Sequence, residues 1–328
     1  MPRKMETHRT YWRRLQSVAG LAAVFAFAVM VSPRATDGSL IFLQAGNITD
    51  ILRQVSEIGI IAVAMTFVIL TAGIDLSVGS ILALAASLSA KLLMCWAPGT
   101  GTVVPILLPL LAVLAICGAA GALNGAIIAR LRVQPFVVTL AAMIGLRGLA
   151  RWLTANANID LGFGNDVSSV FAAAFSQKSV VIGAFVLLAL VFATVLGRTV
   201  FGRYVRALGD NATAARYAGL PIQPVLVAVY ALSGLMAGLA GILHCAQNHQ
   251  GSPNDGVAYE LEAIAAVVIG GTSLAGGRGS IGGTIVGTLI MGILTNMFRL
   301  RGVDINVEMM VKAVIIIGVV WAQQTRRN

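Results

Sequence analysis

The feature that most constrains this chain is a polar interruption inside apolar sequence. Residues 58–90 read IGIIAVAMTFVIL, then TAGIDLSVGS, then ILALAASLSA. Each apolar run is shorter than the ~20 residues a helix needs to cross a bilayer. The connection carries Gly73 and Gly79, which free the backbone, and Asp75 and Ser77, which put polar groups into greasy sequence. Irregular backbone at membrane depth is tolerated only where it is buried in protein or lines a water-filled path. Glycine-interrupted apolar segments are also the best sequence pointer to a transporter's working site. The stretch predicts an all-α polytopic membrane protein with a broken helix near 71–80.

The rest of the chain fits that class. Of its 328 residues 58% are hydrophobic and 11% charged, whereas soluble domains run near ~25% charged. Apolar runs bounded by charge or turn residues cut the chain into about ten transmembrane helices. They cover 15–31, 55–70, 76–95, 103–129, 135–153, 179–197, 225–246, 260–275, 281–298 and 307–322. Residues 1–14 then form a basic cytoplasmic N-terminus, 15–322 a single transmembrane domain, and 323–328 a cytoplasmic tail. Residues 154–178 read as a loop, and 198–224 as the longest basic loop. The run after the basic N-terminus ends in VSPRATDG, without a small-x-small cleavage site, so it reads as an uncleaved helix and not a signal peptide.

Charge sets the orientation. With the N-terminus cytoplasmic and the spans alternating, the inner segments hold Arg3, Lys4, Arg9, Arg13, Arg14, Arg130, Arg132, Arg198, Arg203, Arg206, Arg216, Arg278, Arg326 and Arg327. These are 14 of the 23 Lys and Arg residues, the bias that fixes membrane topology. An even number of spans with both termini cytoplasmic follows. The net charge of +10 lies in these loops without interleaved aromatics or a continuous basic face, so it implies the lipid bilayer and no nucleic acid. Cys95, Cys117 and Cys245 sit in or beside apolar runs as small hydrophobes, and His244 and His249, five apart, do not share a helix face; no metal site is expected. Glu308 and Lys312 are spaced to pair along one helix face. Glu260 and Glu262 suit the first turn of a helix, where its dipole favours carboxylates. Gly121 with Gly125, Gly234 with Gly238 and Gly283 with Gly287 permit close helix packing.

Motif searches exclude soluble chemistry. Gly277-x-Gly279-x-x-Gly282 matches the dinucleotide fingerprint by letter, but it joins two apolar runs with no βαβ unit and reads as a tight turn anchored by Arg278. There is no P-loop, nucleophile elbow or zinc-protease helix, so the chain is not expected to be an enzyme. Asp75 has two compatible readings: a carboxylate lining a solute path, or a cap accepting N–H groups of the helix that follows. Asn124 is a second path candidate, explained equally well by an interhelical hydrogen bond. In GRYVRALGDNATAARYAGLPIQP, Arg203, Arg206 and Arg216 with intervening alanines suit a short amphipathic helix. Asp210 or Asn211 would be its N-cap, with Gly219 and Pro221 ending it.

Five stretches carry a family resemblance: AMTFVILTAGIDLSVGSILAL (64–84), GALNGAIIARLRVQPFVVTLAAMIGLRG (121–148), GRYVRALGDNATAARYAGL (202–220), YELEAIAAVVIGGTSLAGGRGSIGGTIVGTLIMG (259–292) and MMVKAV (309–314). In these the chain resembles the permease subunits of bacterial ABC importers of the ribose/xylose/arabinose/galactose type. The resemblance implies ATP-driven monosaccharide uptake across the bacterial inner membrane. It implies a second permease copy, cytoplasmic ABC ATPase subunits that use the ATP, and a periplasmic sugar-binding protein; this chain itself would bind no cofactor. Asp75, Ser77 and Asn124 would then belong to the substrate pathway. Arg203, Arg206, Gly209, Asp210, Asn211, Arg216 and Gly219 would form the ATPase-coupling segment. Relatives often carry an acidic residue and alanines where this chain has Ala212, Thr213 and Ala214, whereas Gly219 is kept. A branched-chain amino-acid permease and an ion-coupled secondary transporter are the competing readings; a zwitterion would call for more charge along the path than Asp75 alone supplies.

Overall fold

A computed structural model describes residues 18–95, 104–164 and 166–325 of the chain. The basic N-terminus, Arg326 and Arg327 lie outside the described residues. The architecture is all-α. The helices are α1 (Val18–Val31), α2 (Ala45–Leu70), α3 (Val78–Cys95), α4 (Val104–Leu131), α5 (Pro135–Leu153), α6 (Val167–Phe175), α7 (Lys178–Arg198), α8 (Val200–Asp210), α9 (Ala212–Tyr217), α10 (Ile222–Asn248), α11 (Tyr259–Ile269), α12 (Ile281–Leu300) and α13 (Ile305–Thr325). Two short strands, β1 (Ile159–Asp160) and β2 (Gln250–Gly251), pair antiparallel.

Seven of these helices, α2, α3, α4, α5, α7, α10 and α12, are long and apolar enough to cross a membrane. Two sequence expectations need correction. The span expected at 260–275 is only the 11-residue α11, since Gly270 and Gly271 end the helix and the chain turns through 280. At about 1.5 Å per residue such a helix covers half a bilayer. The loop expected at 154–178 contains β1 and α6, whose apolar face (Val167, Phe171, Ala172) is buried.

α10 sets the scale. Its 27 residues give ~40 Å at ~1.5 Å each, so the α8–α9 end and the β1–β2 end are opposite ends of the bundle. α2 runs antiparallel to α10: Glu57 meets His244, and Leu70 reaches the α9 end. α4 is also antiparallel to α10, and here the small-residue pairs explain the packing. A Cβ on Gly121 would lie 2.1 Å from the Tyr230 carbonyl oxygen, and one on Gly234 would lie 2.3 Å from that of Cys117. Only glycine lets these backbones touch. The fully buried core follows from this contact and includes Ile60, Met65, Phe67, Ile81, Leu82, Cys117, Tyr230 and Cys245.

Expected charge pairs are present, with an added partner. Lys312 binds Glu308 one turn earlier at 2.7 Å and also Glu262 of α11 at 2.8 Å, tying the short helix to α13. Arg147 and Arg151, near the β1–β2 end of α5, bind the 253–255 segment through the carbonyls of Pro253 and Asp255 and the side chain of Asn254.

Candidate functional site

The first helix break runs from 71 to 77. α2 ends with Gly73 N–H bonded to Val68 C=O and Ala72 N–H to Ile69 C=O, the pattern of a helix closed by a left-handed residue. That residue is Ala72, at φ 61°, and not a glycine. Gly73 instead makes room for the Tyr230 hydroxyl. Gly79 also differs from expectation: it lies inside α3, and its bare Cα admits the Gly256 carbonyl.

Asp75 is fully buried. Its Oδ1 accepts from Ser77 N at 3.0 Å and Ser77 Oγ at 2.6 Å, and its Oδ2 accepts from Ser233 Oγ at 2.7 Å. Asn124 Nδ2 donates to Ser77 Oγ at 3.1 Å. The three residues named as path candidates are therefore one closed network, joined by Ser233, which sequence reading missed. Buried polar groups of this kind rigidify a core when every member is satisfied. Asp75→Ala would strand the hydroxyls of Ser77 and Ser233 without an acceptor, at a cost of about 3 kcal/mol. The expected outcome is a clear drop in the detergent-solubilised unfolding midpoint, with Asp75→Asn less affected.

The second break, 249–258, contains GSPNDG, which by composition is a loop between spans, and it is re-entrant. From β2 the chain passes back along α3: Gly251 packs on the Ala86 carbonyl, and Gly256 on that of Gly79. α11 begins there. Both short helices, α3 and α11, thus start at one level, beside the Asp75 network roughly halfway along α10. α5 lies over this place, with Thr139 Oγ1 donating to the Ile74 carbonyl and Ser80 Oγ donating to that of Met143. His244 holds the re-entrant segment to α2, with Nδ1 at 2.9 Å from Glu57 and Nε2 at 3.5 Å from Asp255.

At the opposite end, the expected single amphipathic helix is two helices meeting at Asn211. Arg203 and Arg206 point to solvent from α8, and Val205 and Leu208 point inward. Asn211 Oδ1 accepts from Ala214 N at 2.9 Å and caps α9. Gly219, at φ 75°, ends it: Gly219 N–H bonds Arg216 C=O and Leu220 N–H bonds Ala215 C=O. Of α9 only Ala215 is buried; Arg216 and Tyr217, the latter 89% exposed, project from the bundle. Gly209 faces inward onto a backbone junction, and the exposed Asp210 lies against Gly277 beside it. Gly277 N–H bonds the Leu70 carbonyl at 2.9 Å, and a Cβ on Gly209 would lie 1.7 Å from that same oxygen. The end of α8 is thereby in contact with both interruptions, at Leu70 and Ala72 and at Gly276 and Gly277.

One cavity of about 450 Å³ opens between α1, α2 and α12, lined by Val18, Phe25, Phe42, Ile51 and Ile293 among others. It offers acyl chains a surface and gives a hydrated solute no polar group. Among the described residues no group of His, Cys, Asp and Glu could hold a metal ion.

The family model described as branched-chain amino acid transport system / permease component matches residues 47–320. The chain is 40% identical to the ribose import permease protein RbsC of Escherichia coli (strain K12) over 305 residues, 92% of this chain and 91% of that one. It is 42% identical to RbsC of Bacillus subtilis (strain 168) over 278 residues, 84% of each. It is 37% identical to the fructose import permease protein FrcC of Rhizobium meliloti over 300 residues, 87% of this chain and 80% of that one. No solved structure matches the chain.

Proposed function

The chain belongs to the branched-chain amino acid transport system / permease component family, and on that premise we propose that it forms the membrane path of an ATP-driven importer for a monosaccharide. The single observation that carries the cargo class is the run of sugar import permeases, for ribose, fructose, allose and arabinose, among the relatives it matches over most of its length. The embedded chemistry agrees. The described ionisable side chains at membrane depth are mostly paired with one another, which suits a neutral solute better than a zwitterion.

In this reading the protein sits in the bacterial inner membrane, with α9 and both termini cytoplasmic. On this reading α1 and α13 each make one further crossing beside the seven long apolar helices, and the re-entrant segment with α11 makes another, giving ten passes. Cytoplasmic ATPase subunits hold α9 and consume the ATP. A periplasmic binding protein delivers sugar at the β1–β2 end, and a second copy completes the path. Arg203, Arg206, Asn211, Arg216 and Gly219 present the docking face; Gly209 and Asp210 pass its motion to the helix breaks. Asp75, Ser77 and Asn124 hold the first break in shape beside the path.

Uptake of labelled ribose, fructose, allose, arabinose and leucine in a strain lacking its own carriers tests the cargo. Accumulation of at least one sugar and not of leucine is expected; leucine alone would move the cargo to amino acids. In a Cys95→Ser background, Thr213→Cys should react with an impermeant thiol reagent in inverted vesicles and stay unlabelled in intact cells. Labelling from outside the cell would remove α9 from any ATPase.

A further inference from the structure

The carboxylates around the two breaks are tied to other side chains, with one exception. Glu57 and Asp255 meet His244, Glu262 and Glu308 meet Lys312, and Asp75 meets Ser77 and Ser233. Among the described residues Glu260 has neither an ion pair nor a side-chain hydrogen bond; its carboxylate takes only backbone N–H groups at the start of α11. It lies against Gly79, where the two short helices begin. Within electrostatic reach is Arg147 of α5, one terminal nitrogen of which is committed to the 253–255 segment.

The surface around this pair is open. Val257 is 66% and Leu261 57% exposed on one side, and Ile144 is 66% exposed on the other. A Cβ added to Gly145 or Gly148 of α5 would meet nothing. We propose that this seam between α5 and α11, with Glu260 and Arg147 on its two sides, is where a hydrated, neutral polyol contacts the protein during passage. The proposal rests on the transport reading above and assigns the solute contact to this pair, outside the closed hydrogen-bond network of the neighbouring Asp75.

The chemistry follows from the inventory of donors and acceptors. A carboxylate has about four lone-pair sites and a guanidinium five N–H donors. Here neither is used up. A vicinal diol can donate one hydroxyl hydrogen to Glu260 and accept on the other oxygen from Arg147, while Val257, Leu261 and Ile144 meet the C–H face of the ring. Asp75 has no such capacity, because both its oxygens are taken and it is sealed from water. An ionisable residue at membrane depth faces the bundle interior or a water-filled cavity and is by default a candidate functional site. A shallow, open pair also binds weakly, which a path requires for release.

The test has two arms, both on the complete transporter in vesicles. In the first, Val257→Cys and Leu261→Cys are treated with a charged, impermeant methanethiosulfonate, with the parent chain as background and Ile317→Cys on the exposed face of α13 as a lipid-facing control. A water-filled seam predicts modification at least tenfold faster than at Ile317→Cys, slowed by a transported sugar during ATP turnover. Modification no faster than the control, or a disulfide joining Leu261→Cys of two copies in high yield, would overturn the site, because lipid or the second copy would then fill it. In the second arm, Glu260→Gln should lower sugar uptake at least tenfold and change the preference among ribose, fructose, allose and arabinose. ATP hydrolysis stimulated by the loaded binding protein should stay within twofold, and Glu260→Asp should recover part of the uptake. Unchanged uptake and unchanged preference would overturn the site. A parent protein that carries none of the four sugars, yet whose seam is reached by the reagent, would refute the sugar reading while upholding the seam.

Discussion

Gly209→Val is expected to abolish uptake and to lower the unfolding midpoint of the purified protein. The hydrogen at Gly209 faces the Leu70 carbonyl oxygen so closely that a Cβ would lie 1.7 Å from it and 2.6 Å from the Gly277 nitrogen. That oxygen is already bonded to Gly277 N–H. Three backbones therefore meet where valine would need space: the end of α2, the turn before α12, and α8. Overpacking a core costs about 1–3 kcal/mol where side chains can yield; here backbone must move, so the cost exceeds that range. The substitution also separates α8–α9 from both helix breaks, and uptake should fall to background even in the fraction that stays folded. Thermal unfolding with uptake in the same preparation checks both parts. A variant that transports normally would show that contact at this junction is dispensable.

Gly219→Val is expected to reduce stimulated ATP hydrolysis at least tenfold while leaving the bundle intact. The residue sits at φ 75° with nothing within 4 Å of an added Cβ, so sterics with neighbours are not the issue. The backbone conformation is. A β-branched residue held left-handed costs about 1–3 kcal/mol, more than the six-residue α9 can repay, since helices this short are marginal alone. The expected result is a frayed α9, with the Asn211 cap and the Ala215–Leu220 bond lost, on a permease whose unfolding midpoint changes little. Copurification with the ATPase should fall in parallel. Full stimulation in this variant would mean that the α9 end does not form the docking face.

Much of this was legible in sequence because it is local. The break at 71–77, the Asn211 cap, the Gly219 stop and the Glu308–Lys312 pair all depend on residues a few positions apart. What escaped reading depends on distant contact. SPNDG has the composition of an ordinary turn, and only the approach of Gly251 to Ala86 and of Gly256 to Gly79 makes its segment re-entrant. Ser233 is one small residue in an apolar helix, and its bond to Asp75 spans 158 positions. Gly79 belongs to the family-like motif, yet it serves a helix that arrives from the other half of the chain. Ala72 takes the left-handed position beside a glycine that would have been the natural choice, and Gly73 serves instead to admit the Tyr230 hydroxyl. Glu260 and Glu262 look alike as first-turn acids; the position of Lys312 separates them, pairing with Glu262 and leaving Glu260 to backbone N–H groups.

The central claim is that a bundle with two interrupted helices is driven from its α9 end by a separate ATPase. Reconstitution of the chain with its ATPase and solute-binding protein in sealed vesicles tests this most directly, by following labelled sugar with and without ATP on the α9 side. Accumulation that requires ATP and the binding protein, and that persists when an uncoupler collapses the proton gradient, is the predicted result. Accumulation that proceeds without ATP and disappears with the uncoupler would contradict it.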